Sequence, residues 1–586
     1  MSPMVLLALL LGAGATGGPR TIVGSKHDLS VTGPGPFRAL SERNPCLFCH
    51  ISHSGTGERL SNRPDPQQRH VAYESSTMVS RVGAPTGASR ICLSCHDGTI
   101  AVGKTLRGDI RMTGATLAGR RSNLGTDLRG THPVSLRPPP GGASRAPQPG
   151  DKVKLDHGGE LQCTSCHDPH QEYADPVEGK FLVKPSRRSA LCLSCHDAVV
   201  YQGAASSHAV SPAAYGAAQG NEAGFGSVGE AGCAACHASH GGDPGGRLVR
   251  RPPADDDAAC LRCHDSTVTR VTIGRDLTKP YAHQGSRSKG VHDGGEGRGG
   301  PRMPETSPGA RRHVTCVDCH DAHFANTIPA VAPQAPGALA GAWGIDQNGQ
   351  RVQPVRFEYE VCFKCHGDSA NKPQTMGISS IGAVKRAVED ANLRRVFSTA
   401  SPSAHPVVSP GRNPDVPSLL KPYGPTSMIY CSDCHASDTG PGAGGMGARG
   451  PHGSMYPHLL ERNYLTADRT VESPTSYALC YKCHDRDVLL SDRTAFRQIA
   501  GTVTRSLHKL HVVDNATACA TCHDSHGVSQ QAGALPTENA RLINFDVSVV
   551  RPGPRGPAAF QSLGMRSGSC NLTCHNSVHT GVRYQY

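Results

Sequence analysis

Twenty-four cysteines fall without remainder into twelve motifs that end in Cys-His, and no other feature of the sequence restricts its fold as much. Eleven have the form Cys-x-x-Cys-His. The first six are Cys46/Cys49/His50, Cys92/Cys95/His96, Cys163/Cys166/His167, Cys192/Cys195/His196, Cys233/Cys236/His237 and Cys260/Cys263/His264. The next five are Cys316/Cys319/His320, Cys362/Cys365/His366, Cys431/Cys434/His435, Cys480/Cys483/His484 and Cys519/Cys522/His523. The twelfth, "CNLTCH" (Cys570, Cys574, His575), has one extra residue between its cysteines. Two thiols three positions apart lie on one side of a helical turn, where both can form thioethers to the vinyl groups of one porphyrin. The histidine that follows then meets the iron from the same side, so the pattern is the attachment signature of haem c.

A lone Cys-x-x-Cys is equally compatible with structural zinc or a redox dithiol. Zinc sites combine two such units per metal and do not require a histidine after each. Twelve repetitions with that histidine every time predict twelve covalently bound haems. No cysteine remains for a disulfide, an iron–sulfur cluster or a lipid anchor.

Composition agrees with a core built from cofactor. Aromatic residues make up 4%, Trp343 is the single tryptophan, and Gly and Pro together number 113. Such a chain is poor in long helices and strands, and without haem it is expected to have no stable fold. The expected fold class is mostly irregular coil with short α-helices, a multihaem cytochrome c with a haem-packed core and six di-haem modules in an elongated array. The formal charge of +12 would ordinarily suggest nucleic acid or anionic membrane. Two propionates on each of twelve haems reverse its sign, and ferric irons held by neutral imidazoles return it near neutrality. Many Arg and Lys residues are therefore expected to pair with propionates, and no nucleic-acid partner is expected.

Haem c is attached outside the cytoplasm, which requires export to the periplasm or the outer cell surface. The apolar run Val5–Leu11 followed by small residues reads as a signal peptide over 1–16, although its start lacks Lys and Arg. No later stretch is long enough for a transmembrane span.

After twelve proximal ligands, 19 of the 31 histidines remain. Five stand three residues beyond a proximal histidine: His53, His170, His240, His323 and His526, in the first, third, fifth, seventh and eleventh motifs. The even motifs up to the tenth lack this trailing histidine, so the chain reads as six doublets repeating about every 75 to 110 residues. The ninth motif carries Asp438 instead, and a substitute stands downstream at His452. Each doublet also has a leading histidine: His27, His132, His208 and His405 in four of them. The fourth offers His283, His292 or His313, with His292 taken. The sixth offers His508 or His511, with His511 taken. One leading and one trailing histidine per doublet would supply a second ligand to every iron. Three residues span at most about 10 Å, and the macrocycle edge stands in the way, so His170 is expected to ligate a different haem from the one held by His167. The role of His579, four residues after His575, stays open.

The modules so defined are 17–125, 126–203, 204–285, 286–390, 391–500 and 501–586. Gly/Pro-rich stretches at 137–151, 292–312 and 440–453 read as loops. "IGAVKRAVEDANLRRVF" (381–397) has apolar residues at helical spacing and predicts a helix that docks the fifth module.

"GSKHDLS" before "CLFCHISH", and then "CSDCHASD", "GPHGS", "YALCYKCHDRD", "LINFDVSVV" and "GSCNLTCH" in order, resemble the multihaem c-type cytochromes with doubled CxxCH modules of dissimilatory metal-reducing bacteria. The resemblance implies that His452 of "GPHGS" is a distal ligand. It also implies electron transfer across or beyond the outer membrane. The implied partners are redox partner cytochromes, a porin-cytochrome conduit or further copies in a filament, with metal oxides as possible extracellular acceptors. The alternatives are a periplasmic electron shuttle and a multihaem oxidoreductase of the nitrite or hydroxylamine type with one open iron. The absence of a CxxCK variant and the surplus of histidines favour the conduit.

Overall fold

The computed structural model describes residues 21–585, apart from 54–60, 76–77, 79, 140–143, 177, 197–205, 222–223, 245–246, 251–256, 266–267, 270, 272, 284–313 and 369–383. The expected signal peptide and His292 lie outside the described residues.

The twelve motifs set the scale of the secondary structure. Helices are mostly one turn long and coincide with the attachment segments, as at Cys163–Cys166, Cys316–Cys319 and Cys519–Cys522. Gly87–His96 and Glu358–His366 are the longest described helices, and each ends on the histidine of an even-numbered motif. Glycine and proline between the motifs keep the helices from extending further. The largest sheet is C-terminal. Its central strand Ser567–Cys574 pairs along one edge with Ser577–Gln585 and along the other with Ala559–Ser562 and Val550–Arg551, all antiparallel.

The apolar side chains form small separate clusters rather than one core. Phe545, Val550, Phe560, Leu572 and Tyr584 pack together beside Cys522, Cys570 and Cys574. Tyr359, Phe363, Phe397 and Val407 pack beside Cys431. Both clusters border attachment cysteines, which is how a chain with few aromatics brings its apolar surface to where a macrocycle would lie.

The chain divides into two compact units, one of residues 1–203 and 209–253, the other of residues 204–208 and 254–586. This division cuts through the expected module 204–285. The reason is visible at the motifs, where an even motif packs against the odd motif that follows it. The Cys92 side chain adjoins that of Cys163, Cys192 that of Cys233, Cys260 that of Cys316 and Cys362 that of Cys431.

One further expectation is corrected. The predicted helix over 381–397 is reduced, within its described part, to Leu393–Val396. Residues 384–392 instead form an irregular strap bridged at Arg386 to Asp546. The Arg386 guanidinium donates to the carbonyls of Ala520 (2.6 Å), Asn544 (2.7 Å) and His523 (2.8 Å), satisfying groups that the short helix Cys519–Cys522 leaves open. Arg63 does the same for the second motif, donating to Ser94 O at 2.9 Å and Val102 O at 2.7 Å. These two buried guanidinium groups tie the attachment helices to neighbouring backbone.

Candidate haem-binding sites

Each attachment turn closes on itself before it orients its histidine. The His50, His167, His196, His237, His264, His320, His435, His484 and His523 amides donate to the carbonyl of the first cysteine of their own motif at 2.8–3.0 Å. The following motif is then locked to the preceding even one by a single side chain. Ser89 Oγ accepts from Cys163 N at 3.0 Å, Ser189 Oγ from Cys233 N at 2.9 Å, and Asp257 Oδ1 from Cys316 N at 2.9 Å. All three stand three positions before the first cysteine of an even motif. This recurrence is legible in the sequence as a Ser or Asp three residues before the first cysteine.

Two attachment cysteines depart from the expected haem-packed core. Cys46 and Cys236 are exposed, whereas the other 22 are partly buried. Each belongs to a single 3₁₀ turn at the surface. Cys46 lies within Pro45–Phe48, and Cys236 directly follows Gly232–Ala235. The Cys236 carbonyl accepts from Arg250 N at 2.7 Å, so the backbone there is tied down while the side chain stays at the rim.

The imidazoles come together in pairs. In the first unit the ring centres of His50 and His170 are 6.2 Å apart, His27 and His96 6.1 Å, His167 and His240 6.3 Å, and His132 and His196 6.1 Å. In the second, His208 and His264 are 6.1 Å apart, His283 and His366 6.4 Å, and His320 and His452 6.1 Å. His435 and His526 are 5.9 Å apart, His508 and His523 6.5 Å, and His511 and His579 6.2 Å. Two metal–imidazole bonds of about 2 Å, with each ring centre about 1 Å beyond its nitrogen, require about 6 Å. The pairs are therefore spaced to hold one iron each, and direct ring stacking does not account for so wide a gap. His405 neighbours His484, whose pKa burial and then His405 lower to about 4.

A register runs through these pairs. A leading histidine faces the even motif of its own doublet, as His27 faces His96. A trailing histidine faces the odd motif of the doublet before it, as His170 faces His50. His452 follows this register toward His320 in place of the trailing position occupied by Asp438. Lys279 Nζ holds Asp438 at 2.6 Å and Asp276 at 2.6 Å, which explains the carboxylate there. The two classes also differ in ring orientation. The trailing pairs are near parallel, at 14°, 28°, 13° and 19°, whereas the leading pairs of the first four doublets cross at 67°, 81°, 78° and 65°; the two pairs of the sixth doublet, His511–His579 and His508–His523, lie at 30° and 36°.

Hydrogen bonds at Nδ1 aim the rings. A backbone carbonyl only accepts, so an imidazole bonded to one through Nδ1 carries its proton there and presents the Nε2 lone pair. His96 donates to Ser122 O at 2.8 Å, His320 to Ala338 O at 2.8 Å and His283 to Pro451 O at 2.8 Å. In four odd motifs the acceptor is a non-glycine residue in the left-handed region. His167 donates to Lys180 O (φ 57°), His237 to Arg247 O (φ 56°), His435 to His458 O (φ 61°) and His523 to Arg541 O (φ 58°). The residue after each is left-handed too. Eight such conformations, each costing about 1–2 kcal/mol, mark a strap shaped for its histidine. The repeated basic-or-His, apolar, apolar triplets "KFL", "RLV", "HLL" and "RLI" were its sequence signal. The trailing histidines are set differently: His170 and His323 place Nδ1 against Asp168 and Asp321, at 3.2 and 3.1 Å.

Burial keeps the rings neutral, as metal binding requires. It lowers His132, His240, His435 and His452 to about 4 and His508 to about 3, with neighbouring histidines acting in the same direction. Burial likewise pushes the thiols of Cys166, Cys365, Cys434, Cys519 and Cys522 up to about 12, an environment suited to uncharged sulfur.

Three expected ligand assignments, at His53, His292 and His575, are not met. His53 is exposed and faces no motif histidine among the described residues. In the fourth doublet the ring opposite His366 is His283, where His292 had been taken. His511, assigned to the sixth doublet, lies opposite His579, while His508 faces His523. His575 does not face a histidine at all: its Nε2 lies 2.9 Å from both carboxylate oxygens of Asp468.

A family model described as the doubled CXXCH motif matches residues 157–200, 226–269 and 423–489. These ranges hold motifs three and four, five and six, and nine and ten. Such doublets mark a multihaem c-type cytochrome. Its haem c is covalently bound, and its chemistry is electron transfer. No curated protein matches the chain. Among the described residues no helix is long and apolar enough to cross a membrane.

Proposed function

We propose that the chain is a dodecahaem electron conduit, with each iron held between two histidines and the haems arranged in six doublets. The observation that carries this reading is the spacing of the histidine pairs combined with their tethers. His167 and His170 belong to two different pairs, yet three residues span at most about 10 Å. His508 and His511 tie the pairs of the eleventh and twelfth motifs in the same way, and His523 and His526 tie those of the eleventh and ninth. The adjoining cysteine side chains of successive even and odd motifs bring further attachment sites together. Neighbouring macrocycles held this close exchange electrons by hopping, and irons with both axial positions filled present none to substrate.

Export, and delivery of electrons to partner cytochromes or extracellular acceptors such as metal oxides, complete the proposal. They rest on where haem c is attached and on the family resemblance. The decisive experiment is a reductive titration of the purified holoprotein together with its mass. Twelve covalent haems, twelve electrons and wholly low-spin ferric iron are expected. A markedly smaller haem count, or several high-spin irons binding carbon monoxide, would defeat the reading. Proteolysis of intact cells checks its surface arm, since a chain resistant until the outer membrane is broken is periplasmic.

A further inference from the structure

The twelfth motif is folded unlike the others. In the first eleven, the cysteines sit in or beside a helical turn, and the histidine that follows shares its orientation. Cys570 and Cys574 instead lie in the strand Ser567–Cys574, which turns directly into Ser577–Gln585. Cys574 pairs with Ser577, so His575 and Asn576 form a two-residue hairpin turn, with φ of 49° and 65°. Positive φ at both central residues is the mark of a type I′ turn. The histidine that the Cys-His signature designates is thereby carried to the hairpin tip, where Asp468 takes its Nε2. A carboxylate accepts, so that nitrogen carries a proton and offers no lone pair to a metal.

A different histidine occupies the ligand position. His579 pairs across the hairpin with Leu572, and directly paired residues share a face of the sheet. Cys570 and Cys574 stand two residues either side of Leu572, on that same face. All three pack with the cluster of Phe545, Val550, Phe560 and Tyr584. Opposite His579, at 6.2 Å between ring centres, stands His511. Its Nδ1 donates to Leu507 O at 2.7 Å and its ring stacks on Phe496 at 5.8 Å and 22°, which fixes it with Nε2 available.

We propose that the haem attached at Cys570 and Cys574 takes its iron between His579 and His511, and that His575 is a positioning residue anchoring the hairpin turn to Asp468. The inference rests on the twelve-haem reading and assigns the axial ligands of its last site. His511 then follows the register of the other leading histidines, each of which faces the even motif of its own doublet.

The test uses the intact holoprotein. Peptide mass spectrometry first shows whether residues 567–585 carry haem; an unmodified Cys570/Cys574 peptide overturns the inference together with the twelve-haem count. With haem present, His579→Ala leaves the Cys-His signature whole and should convert one haem from low-spin to high-spin, with binding of one carbon monoxide. His579→Met should keep that haem low-spin while adding a thioether–iron charge-transfer band and raising one potential. His511→Ala should also expose one iron. If His579→Ala remains entirely low-spin and His579→Met shows neither the band nor the shifted potential, His579 is not a ligand, and the inference fails while the conduit stands.

Discussion

The ring of His27 donates through Nδ1 to the carbonyl of Pro169, 3.2 Å away, and the next residue in the chain is His170. The relationship recurs: His208 donates to Ala322 O at 3.2 Å, beside His323, and His283 to Pro451 O at 2.8 Å, beside His452. His405 donates to Ser525 O, beside His526. At the second doublet the backbone substitutes, His132 N donating to Ser239 O at 2.8 Å, beside His240. The second ligands of two haems thus come from peptides bonded to each other, so neither can move alone.

This coupling predicts a double effect from one substitution. His27→Ala should leave the iron of His96 open, seen as one high-spin haem that binds carbon monoxide. The freed Pro169 carbonyl should also shift the potential of the haem between His50 and His170. A redox titration in which that second potential keeps its wild-type value would show that the bond transmits nothing.

Ring orientation supplies a spectroscopic prediction. The angle between two axial imidazole planes sets the splitting of the iron d orbitals they overlap. The near-parallel trailing pairs and the crossed leading pairs of the first four doublets should therefore give two families of low-spin signal in electron paramagnetic resonance of the oxidised protein, with the sixth doublet, at 30° and 36°, nearer the first. His170→Met should remove intensity from the near-parallel family only. Loss from the other family would show the assignment to be reversed.

Ser89 is fully buried, donates to Gln162 Oε1 at 2.6 Å and accepts from Cys163 N at 3.0 Å. Ser89→Ala leaves the Cys163 amide without its acceptor at the junction of the second and third motifs, while Gln162 Oε1 keeps the Ser89 amide at 3.2 Å and Ser135 Oγ at 3.4 Å. It should cost about 1–3 kcal/mol in denaturant unfolding while leaving the haem spectrum as it is. An unchanged midpoint would mean that water replaces the hydroxyl.

Glu472 accepts from Arg486 Nε at 2.8 Å, Arg486 Nη2 at 2.6 Å and Tyr481 OH at 2.9 Å. The Arg486 bonds hold its carboxyl below the ordinary value of 4.5. A carboxyl lowered in the folded state stabilises above its unfolded pKa and loses that contribution as pH falls through the folded value. Glu472→Gln should therefore be less stable than the parent at neutral pH, with the difference closing as the solution is acidified below about pH 4. Parallel stability curves down to that pH would rule the ion pair out as the cause.

The motifs and the two kinds of extra histidine could be read from the chain because covalent chemistry dictates their spacing. The three-residue offset of His170 excluded its own haem but could not select His50 among the others, since that choice depends on how distant doublets pack. The left-handed straps at Lys180, Arg247, His458 and Arg541 escaped notice because no glycine marks them; tertiary contacts alone impose the conformation. His575 misled for the opposite reason. Its signature presupposes a helical turn, and one added residue between the cysteines, followed by Asn576, allows a hairpin instead.

The backward reach of the trailing histidines has a consequence for biogenesis. On the conduit reading, a chain exported from its N-terminus would present Cys46, Cys49 and His50 before His170 follows. Until then a haem attached there would have His50 as its one protein ligand. Every odd-numbered site paired with a later doublet would pass through the same interval. Truncation at a doublet boundary should consequently leave one such site without its second histidine.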